Sequence, residues 1–388
     1  MTGTADTVYR TVDVGFTCGS RPAMVYVGTL TDGGQIPAPN IMGRNDAYQA
    51  LLLGKNRANP YPNCMLVTLD PGTGRVTSKV IECPISADIT YVPATRVRDT
   101  VYMFGGHTNA DNLYAYSIDL QTWRQVPKSG HWPEPRFCHS SFCLGGKLYI
   151  VGGHTVSDFW CYDPETGVWT RLQGMGGRLG RCSTVVVGDV AHMIGDEGKN
   201  HMLHRTFSLS QGWHREADLP FETHSCGCVA HTVGVGSEIH ILGGYHSRKG
   251  VHVYNTMTKQ WSLHWRQGGD LPSSFGYSRA CLISPDTFLL CGFYEMVVGQ
   301  LPVGTLVEPS REGESLIEQE AALERRALTS LLTRLNVPNS AIASSPLTDP
   351  VLPHVASVLE AQEAEITRLR QTVRDMQTVR DMQTVRDM

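Results

Sequence analysis

The sequence repeats itself at intervals of 43 to 52 residues, and a period of that size decides the architecture before any local assignment is made. Three segments superpose directly: Val101–Thr108 (VYMFGGHT), Leu148–Thr155 (LYIVGGHT) and Ile239–Tyr245 (IHILGGY). Weaker copies, at Met193–Asp196, Leu289–Gly292 and Leu51–Gly54, keep one glycine. The second position of the pair falls at 54, 106, 153, 196, 244 and 292, which gives steps of 52, 47, 43, 48 and 48. Downstream, an aromatic residue and then a tryptophan follow at nearly fixed distance: Tyr116 and Trp123, Tyr162 and Trp169, Phe207 and Trp213, Tyr254 and Trp261. The first copy keeps this register with Leu69 and Val76 in place of the two rings.

Each copy reads as a small antiparallel sheet. An apolar run of four ending in Gly-Gly is a strand buried on both faces, and glycine there permits a backbone approach that a Cβ would obstruct. The two rings each supply roughly 150 to 250 Å² of surface to bury. Between them, Asp163–Gly167 (DPETG) is turn chemistry that joins antiparallel strands. One such sheet cannot cover its own apolar faces, whereas several arranged radially bury them against each other.

The glycine pairs (Gly105 with Gly106, Gly152 with Gly153, Gly243 with Gly244), the spaced Tyr and Trp, and an arginine ahead of the first strand (Arg136, Arg181, Arg279) resemble the kelch-repeat β-propellers over about residues 40–295. The resemblance implies an all-β, six-bladed kelch-type propeller over residues 1–307, followed by a helical and coiled-coil tail. It also implies that Arg136–Ser141 lies on an innermost strand, Leu148–Gly153 on the second, Tyr162 on the third and Trp169 on the outermost. The sixth copy lacks both rings, and Pro302 stands where the aromatic belongs, so its outer strand has to come from elsewhere. Val8–Val14, alternating polar and apolar, is one donor and places Met24–Leu30 on the first inner strand; Met296–Val307 is the other.

Composition changes sharply near residue 307. All 31 aromatics, all 11 cysteines and 38 of the 39 glycines precede Glu308, and residues 1–307 balance 24 basic against 24 acidic side chains. The last 81 residues carry nine arginines against 13 acids and therefore hold the whole formal charge of −4. Residues 308–336 read as an amphipathic helix, with Leu316, Leu323, Leu328, Leu331 and Leu335 mostly at helical intervals. Residues 337–353 form a Pro/Ser-rich linker, and 354–388 a coiled coil that ends in three QTVRDM repeats. In those repeats an apolar residue recurs every third position, so on an α-helix the stripe drifts by about 60° per step and cannot prolong a heptad seam far.

These features limit the chemistry. A balanced domain has no basic footprint for nucleic acid. The longest apolar runs are about four residues, against about 20 for a membrane span. Cysteines at irregular spacing fit reduced thiols and a cytoplasmic location. His224, Cys226, Cys228 and His231 have metal-ligand chemistry without a zinc-site spacing; Cys226 and Cys228 share a strand face and read as small buried hydrophobes, so no metal or other cofactor is expected. No phosphate-cradling loop or nucleophile elbow stands out, and no catalytic residue is assigned. The alternative left by the resemblance is a metal-dependent enzyme with its site at the propeller axis. The favoured expectation is a protein-interaction scaffold. Arg136, Arg181 and Arg279 would clamp carboxylates of a protein or acidic peptide at the channel mouth, with Trp132, Phe137 and His139 beside them. The coiled coil would form a homodimer, and two linked propellers bind a repetitive target such as a cytoskeletal filament more tightly than one.

Overall fold

The glycine-punctuated apolar runs form six four-stranded antiparallel sheets, all strand and turn. The computed structural model describes residues 10–11, 22–28, 30, 36, 48–55, 62–70, 72–83, 85, 91–107, 110–177, 179–196, 201–233, 236–263, 270–292 and 295–301. The helix expected at 308–336, the linker and the coiled coil lie outside these residues. No helix among the described residues is long and apolar enough to cross a membrane.

Strand β1 (Arg10–Thr11) precedes the repeats. The first blade is β2 (Ala23–Tyr26), β3 (Tyr48–Lys55), β4 (Pro62–Leu69) and β5 (Val76–Ile81), and the second is β6 (Ala94–Val97), β7 (Thr100–Phe104), β8 (Leu113–Ser117) and β9 (Thr122–Val126). The third is β10 (Ser140–Leu144), β11 (Lys147–Val151), β12 (Phe159–Asp163) and β13 (Val168–Leu172), and the fourth is β14 (Ser183–Val187), β15 (Val190–Ile194), β16 (His204–Ser208) and β17 (Gly212–Arg215). The fifth is β18 (Gly227–Val233), β19 (Gly236–Leu242), β20 (Val251–Asn255) and β21 (Gln260–Leu263). The sixth has β22 (Arg279–Leu282), β23 (Thr287–Cys291) and β24 (Met296–Gln300), and β1 supplies its fourth strand.

Both donors anticipated for the last blade are used. Met296–Gln300 is its third strand, and Arg10 and Thr11 pair with Val298 and Val297 on the outside. Two inner-strand assignments shift. The first inner strand is Ala23–Tyr26, and that of the third blade begins at Ser140, so Arg136 to His139 belong to the connection before it.

The spacing of the rings is a register. Tyr116 lies directly opposite Trp123, Tyr162 opposite Trp169, Phe207 opposite Trp213 and Tyr254 opposite Trp261, with centroids 4.8 to 5.1 Å apart. Leu69 faces Val76 in the same way. Hairpin turns fix these pairs; in the third blade the Asp163 carboxylate accepts from the Glu165 amide (2.9 Å) and the Gly167 amide donates to the Asp163 carbonyl (2.8 Å).

The core lies between blades. Six apolar clusters each join residues of two neighbours, and the one that packs Tyr48, Leu52 and Met65 against Leu289, Cys291 and Val298 joins the first blade to the sixth. The ring is therefore closed by burial as well as by β1. The glycine pairs sit at these seams. A Cβ on Gly105 would lie 2.2 Å from the Arg136 carbonyl oxygen, on Gly152 2.1 Å from that of Leu179, on Gly195 2.2 Å from that of Thr223 and on Gly243 2.6 Å from that of Phe275. Each acceptor belongs to the connection entering the next blade, so the conserved geometry of the repeat is a backbone-to-backbone contact that only glycine allows.

Candidate binding face at the propeller mouth

In every blade the chain enters the inner strand from one end and the second strand returns to it. The connections into the inner strands and the loops after the glycine pairs therefore gather at a single mouth, while the two hairpins of each blade lie at the opposite end.

A residue two or three positions before the inner strand adopts left-handed backbone geometry in the second to sixth blades: Tyr91 (φ 66°), Cys138 (58°), Arg181 (63°), Ser225 (56°) and Tyr277 (57°). For non-glycine residues this conformation is uncommon and persists where surrounding structure imposes it, often at ligand sites. Here the restraint is visible. The Cys138 amide donates to the Tyr91 carbonyl (2.8 Å), the Arg181 amide to that of Cys138 (2.8 Å) and the Ser225 amide to that of Arg181 (3.0 Å). A chain of backbone bonds thus runs from blade to blade around the axis and fixes the side chains that border the mouth.

Two aromatic clusters stand on this rim. In the first, Phe137 lies between the rings of His107 and His154, each 5.0 Å away, with Tyr91 5.7 Å from His107 and the Arg181 guanidinium 5.9 Å over Tyr91. In the second, Tyr245 stacks on His224 at 4.8 Å, approaches Tyr277 at 5.2 Å and carries the Arg248 guanidinium at 5.5 Å. Such cation–π pairs present apolar area and positive charge together.

The three arginines expected to act as one clamp occupy three different registers. Arg136 lies two residues before the left-handed position, Arg181 on it and Arg279 two residues after it. The Arg136 guanidinium is fully buried and grips both oxygens of Asp158 (2.5 and 3.1 Å) while also donating to the Gly152 carbonyl. Burial would raise the Asp158 carboxyl, but hydrogen bonds from Arg136 and Trp160 outweigh it and hold the group below the usual carboxylate range. Arg136 is thus a clamp on the glycine loop of its own blade and has no surface to offer a partner. Arg279 lines an axial cavity of about 80 Å³, with a 3.0 Å bond to the Ser278 carbonyl, and Arg181 alone of the three stands on the rim.

The flanking residues divide in the same way. Trp132 donates from Nε1 to the Asp111 carbonyl (2.6 Å) and packs on Phe104 and Trp169 in the seam between second and third blades, which removes it from the expected rim contact. His139 is 2% exposed, and burial lowers its pKa to about 3, so it is a neutral wall of the axial cavity and does not reach a partner. Phe137 does border the mouth.

The axial cavity is walled mainly by small hydroxyl and thiol side chains. Its lining is Ser140, Ser183, Thr184, Cys182, Cys226, Cys228 and their neighbours, with His139 as its imidazole and no carboxylate among the described lining residues. Burial pushes the Cys182, Cys226 and Cys228 thiols up, which keeps them protonated at neutral pH and weak as nucleophiles or ligands. Nine described cysteines are free thiols, whereas Cys291 is disulfide-bonded, a departure from the all-thiol expectation.

Sequence reasoning missed Tyr91, Tyr277, His201, His246 and Arg248 as members of the rim. Tyr91 and Tyr277 carried a signal, since each precedes its inner strand at nearly the offset of Cys138 and Arg181.

Comparison with known proteins agrees with this architecture. The KLHDC2/KLHL20/DRC7 Kelch-repeats domain matches residues 54–211. The chain is 30% identical over 144 residues to Kelch-like protein 23 of Pongo abelii, a segment covering 34% of this chain and 25% of that protein. It is 36% identical over 104 residues to the Rab9 effector protein with kelch motifs of Xenopus laevis, covering 25% and 28% of the two. Kelch-like protein 35 of Mus musculus is 25% identical over 187 residues, covering 46% and 30%. The match thus spans less than a third of each of these relatives.

Proposed function

Because the chain belongs to the kelch-repeat β-propeller family, we propose that its propeller is a protein-interaction module that binds its partner at the mouth formed by the glycine-pair loops. One relative is named a Rab9 effector, and a propeller acting on another protein is the behaviour the reading extends to this chain. The observation that carries the proposal is the rim itself: aromatic side chains on or beside the left-handed residues, of which Tyr91, Cys138, Arg181 and Ser225 are joined by backbone bonds between successive blades. Rigid aromatic anchors beside arginine are the residue types that dominate protein interfaces. Arg181 and Arg248 make an acidic peptide segment the favoured ligand, in place of the three-arginine clamp read from the sequence. The heptads after residue 352 are the segment that pairs two copies, giving a bivalent scaffold in the cytoplasm.

The proposal is tested by comparing proteins captured by the intact chain, by an Arg181→Glu/Tyr245→Ala variant and by a Leu120→Asp/Met257→Asp variant altered on exposed hairpin tips at the opposite end. A direct partner should be lost from the mouth variant and kept by the hairpin variant, and the purified pair should repeat that order by calorimetry. Equal retention by both variants would place the interaction elsewhere.

A further inference from the structure

We propose that His201, His224 and His246 form a zinc(II) site on the rim, between the fourth and fifth blades. His201 follows β15, His224 lies on the connection into β18, and His246 follows the glycine pair after β19, so three loops converge on one point. Their candidate ligand atoms all lie within 4.8 Å of one another. The ring centroids are 4.9, 5.5 and 5.7 Å apart. Three imidazoles on a tetrahedral zinc ion at about 2.0 to 2.1 Å place their nitrogens about 3.4 Å apart and their centroids about 5 Å apart. The rings therefore already stand at the separation of a three-histidine site, and small rotations bring the nitrogens to a common ion.

The surroundings orient the donors. His201 Nδ1 donates to the Asp196 carbonyl at 2.7 Å, a bond that puts the lone pair on Nε2. His224 Nδ1 is 2.9 Å from the Ser225 hydroxyl, and His246 Nδ1 is 3.9 Å from a Glu222 carboxylate oxygen. The bond on His201 is the outer-shell pattern that fixes tautomer and orientation in metal-bound histidines; the Ser225 hydroxyl stands in the corresponding place on His224, whereas Glu222 lies beyond hydrogen-bond reach of His246 Nδ1. The carriers are also tied together. The Thr223 amide donates to the His201 carbonyl (3.1 Å) and the Tyr245 amide to that of His224 (3.0 Å), so the three segments are positioned before any ion arrives. His224 is buried, His201 half-buried and His246 exposed, which leaves the fourth coordination position on the solvent side of the mouth. Three neutral imidazoles with one open position suit a borderline divalent ion such as zinc(II) better than calcium or magnesium, which prefer oxygen.

Zinc binding needs no protein partner and is measured separately from the interaction proposed above. Full-length chain is stripped with chelator and titrated with zinc chloride against a chromophoric competitor, and its cobalt(II) form is examined by visible absorption. One equivalent should bind, with the intense d–d bands of tetrahedral cobalt. His246→Gln, an exposed change, should abolish binding while the melting temperature without metal stays unaltered, and Ser225→Ala should weaken it roughly 10-fold to 100-fold. His107→Ala on the other rim cluster should bind as the parent does. Failure of the folded parent to bind zinc, octahedral cobalt spectra, or equal affinity in His246→Gln would overturn the site.

Discussion

Arg136 shows how a surface-looking residue becomes structural. Its guanidinium joins the connection into the third blade, the Asp158 carboxylate and the Gly152 carbonyl, and Asp158 in turn accepts from Trp160 Nε1 at 2.6 Å. Arg136→Met leaves a carboxylate without its cation at the foot of the loop and should cost about 3 to 5 kcal/mol in urea unfolding. Arg136→Lys should recover little of it, since an ammonium cannot reproduce the two-pronged contact. The buried histidines act in a different way. Burial lowers the pKa of His139 and His204 to about 3 and that of His192 and His252 to about 4, against 6.5 for an exposed ring. Below pH 6.5 the unfolded chain takes up protons that these rings refuse in the fold, so stability should fall as pH drops from about 6.5 toward 4. The His192–His204 bond, Nδ1 to Nε2 at 3.0 Å, needs an unprotonated acceptor and weakens in the same direction. Urea midpoints at pH 7.5, 6 and 5 check the sign, and His252→Gln should flatten the slope. A midpoint that rises on acidification would contradict the burial argument.

At the scale of elements, the sixth blade depends on a strand from the far end of the sequence. β1 is two residues long and exposed, yet it covers the edge of β24, and Arg10 Nη2 also donates to the Gly74 carbonyl in the first blade at 2.5 Å. Deleting residues 1–14 should uncover that edge, lower the melting temperature and promote concentration-dependent association, because an unpaired strand edge templates pairing with other chains. Calorimetry and light scattering at two concentrations measure both effects, and an unchanged melting curve would show that inter-blade burial alone closes the ring. The glycine seams and the paired rings of blades two to five were legible in the sequence, because periods within one sheet are local. The start of an inner strand was less so. Arg136, Arg181 and Arg279 look equivalent by position, but they differ by two residues at each step relative to the left-handed residue, a distinction set by contacts with neighbouring blades.

At the scale of the whole molecule, the propeller and the region after residue 307 are separate in composition. If the heptads pair two copies, truncation after Leu335 should convert a dimer into a folded monomer, with the propeller's melting temperature retained. Light scattering on the two proteins decides it, and an identical mass for both would remove the bivalent scaffold.

What the amino-acid order determined by itself was the number of modules, their internal register and the turn chemistry, since each depends on residues within about 50 positions of one another. The rings at offsets of six or seven could only meet across a hairpin. Tertiary structure alone decided which side chains border the mouth. Tyr91, Phe137, His201, His224, Tyr245, His246 and Tyr277 come from five blades, and closure of the ring around one axis is what brings those blades' residues together. The same closure buried Arg136 and His139, because each blade's entering connection is pressed against the glycine loop of the blade before it.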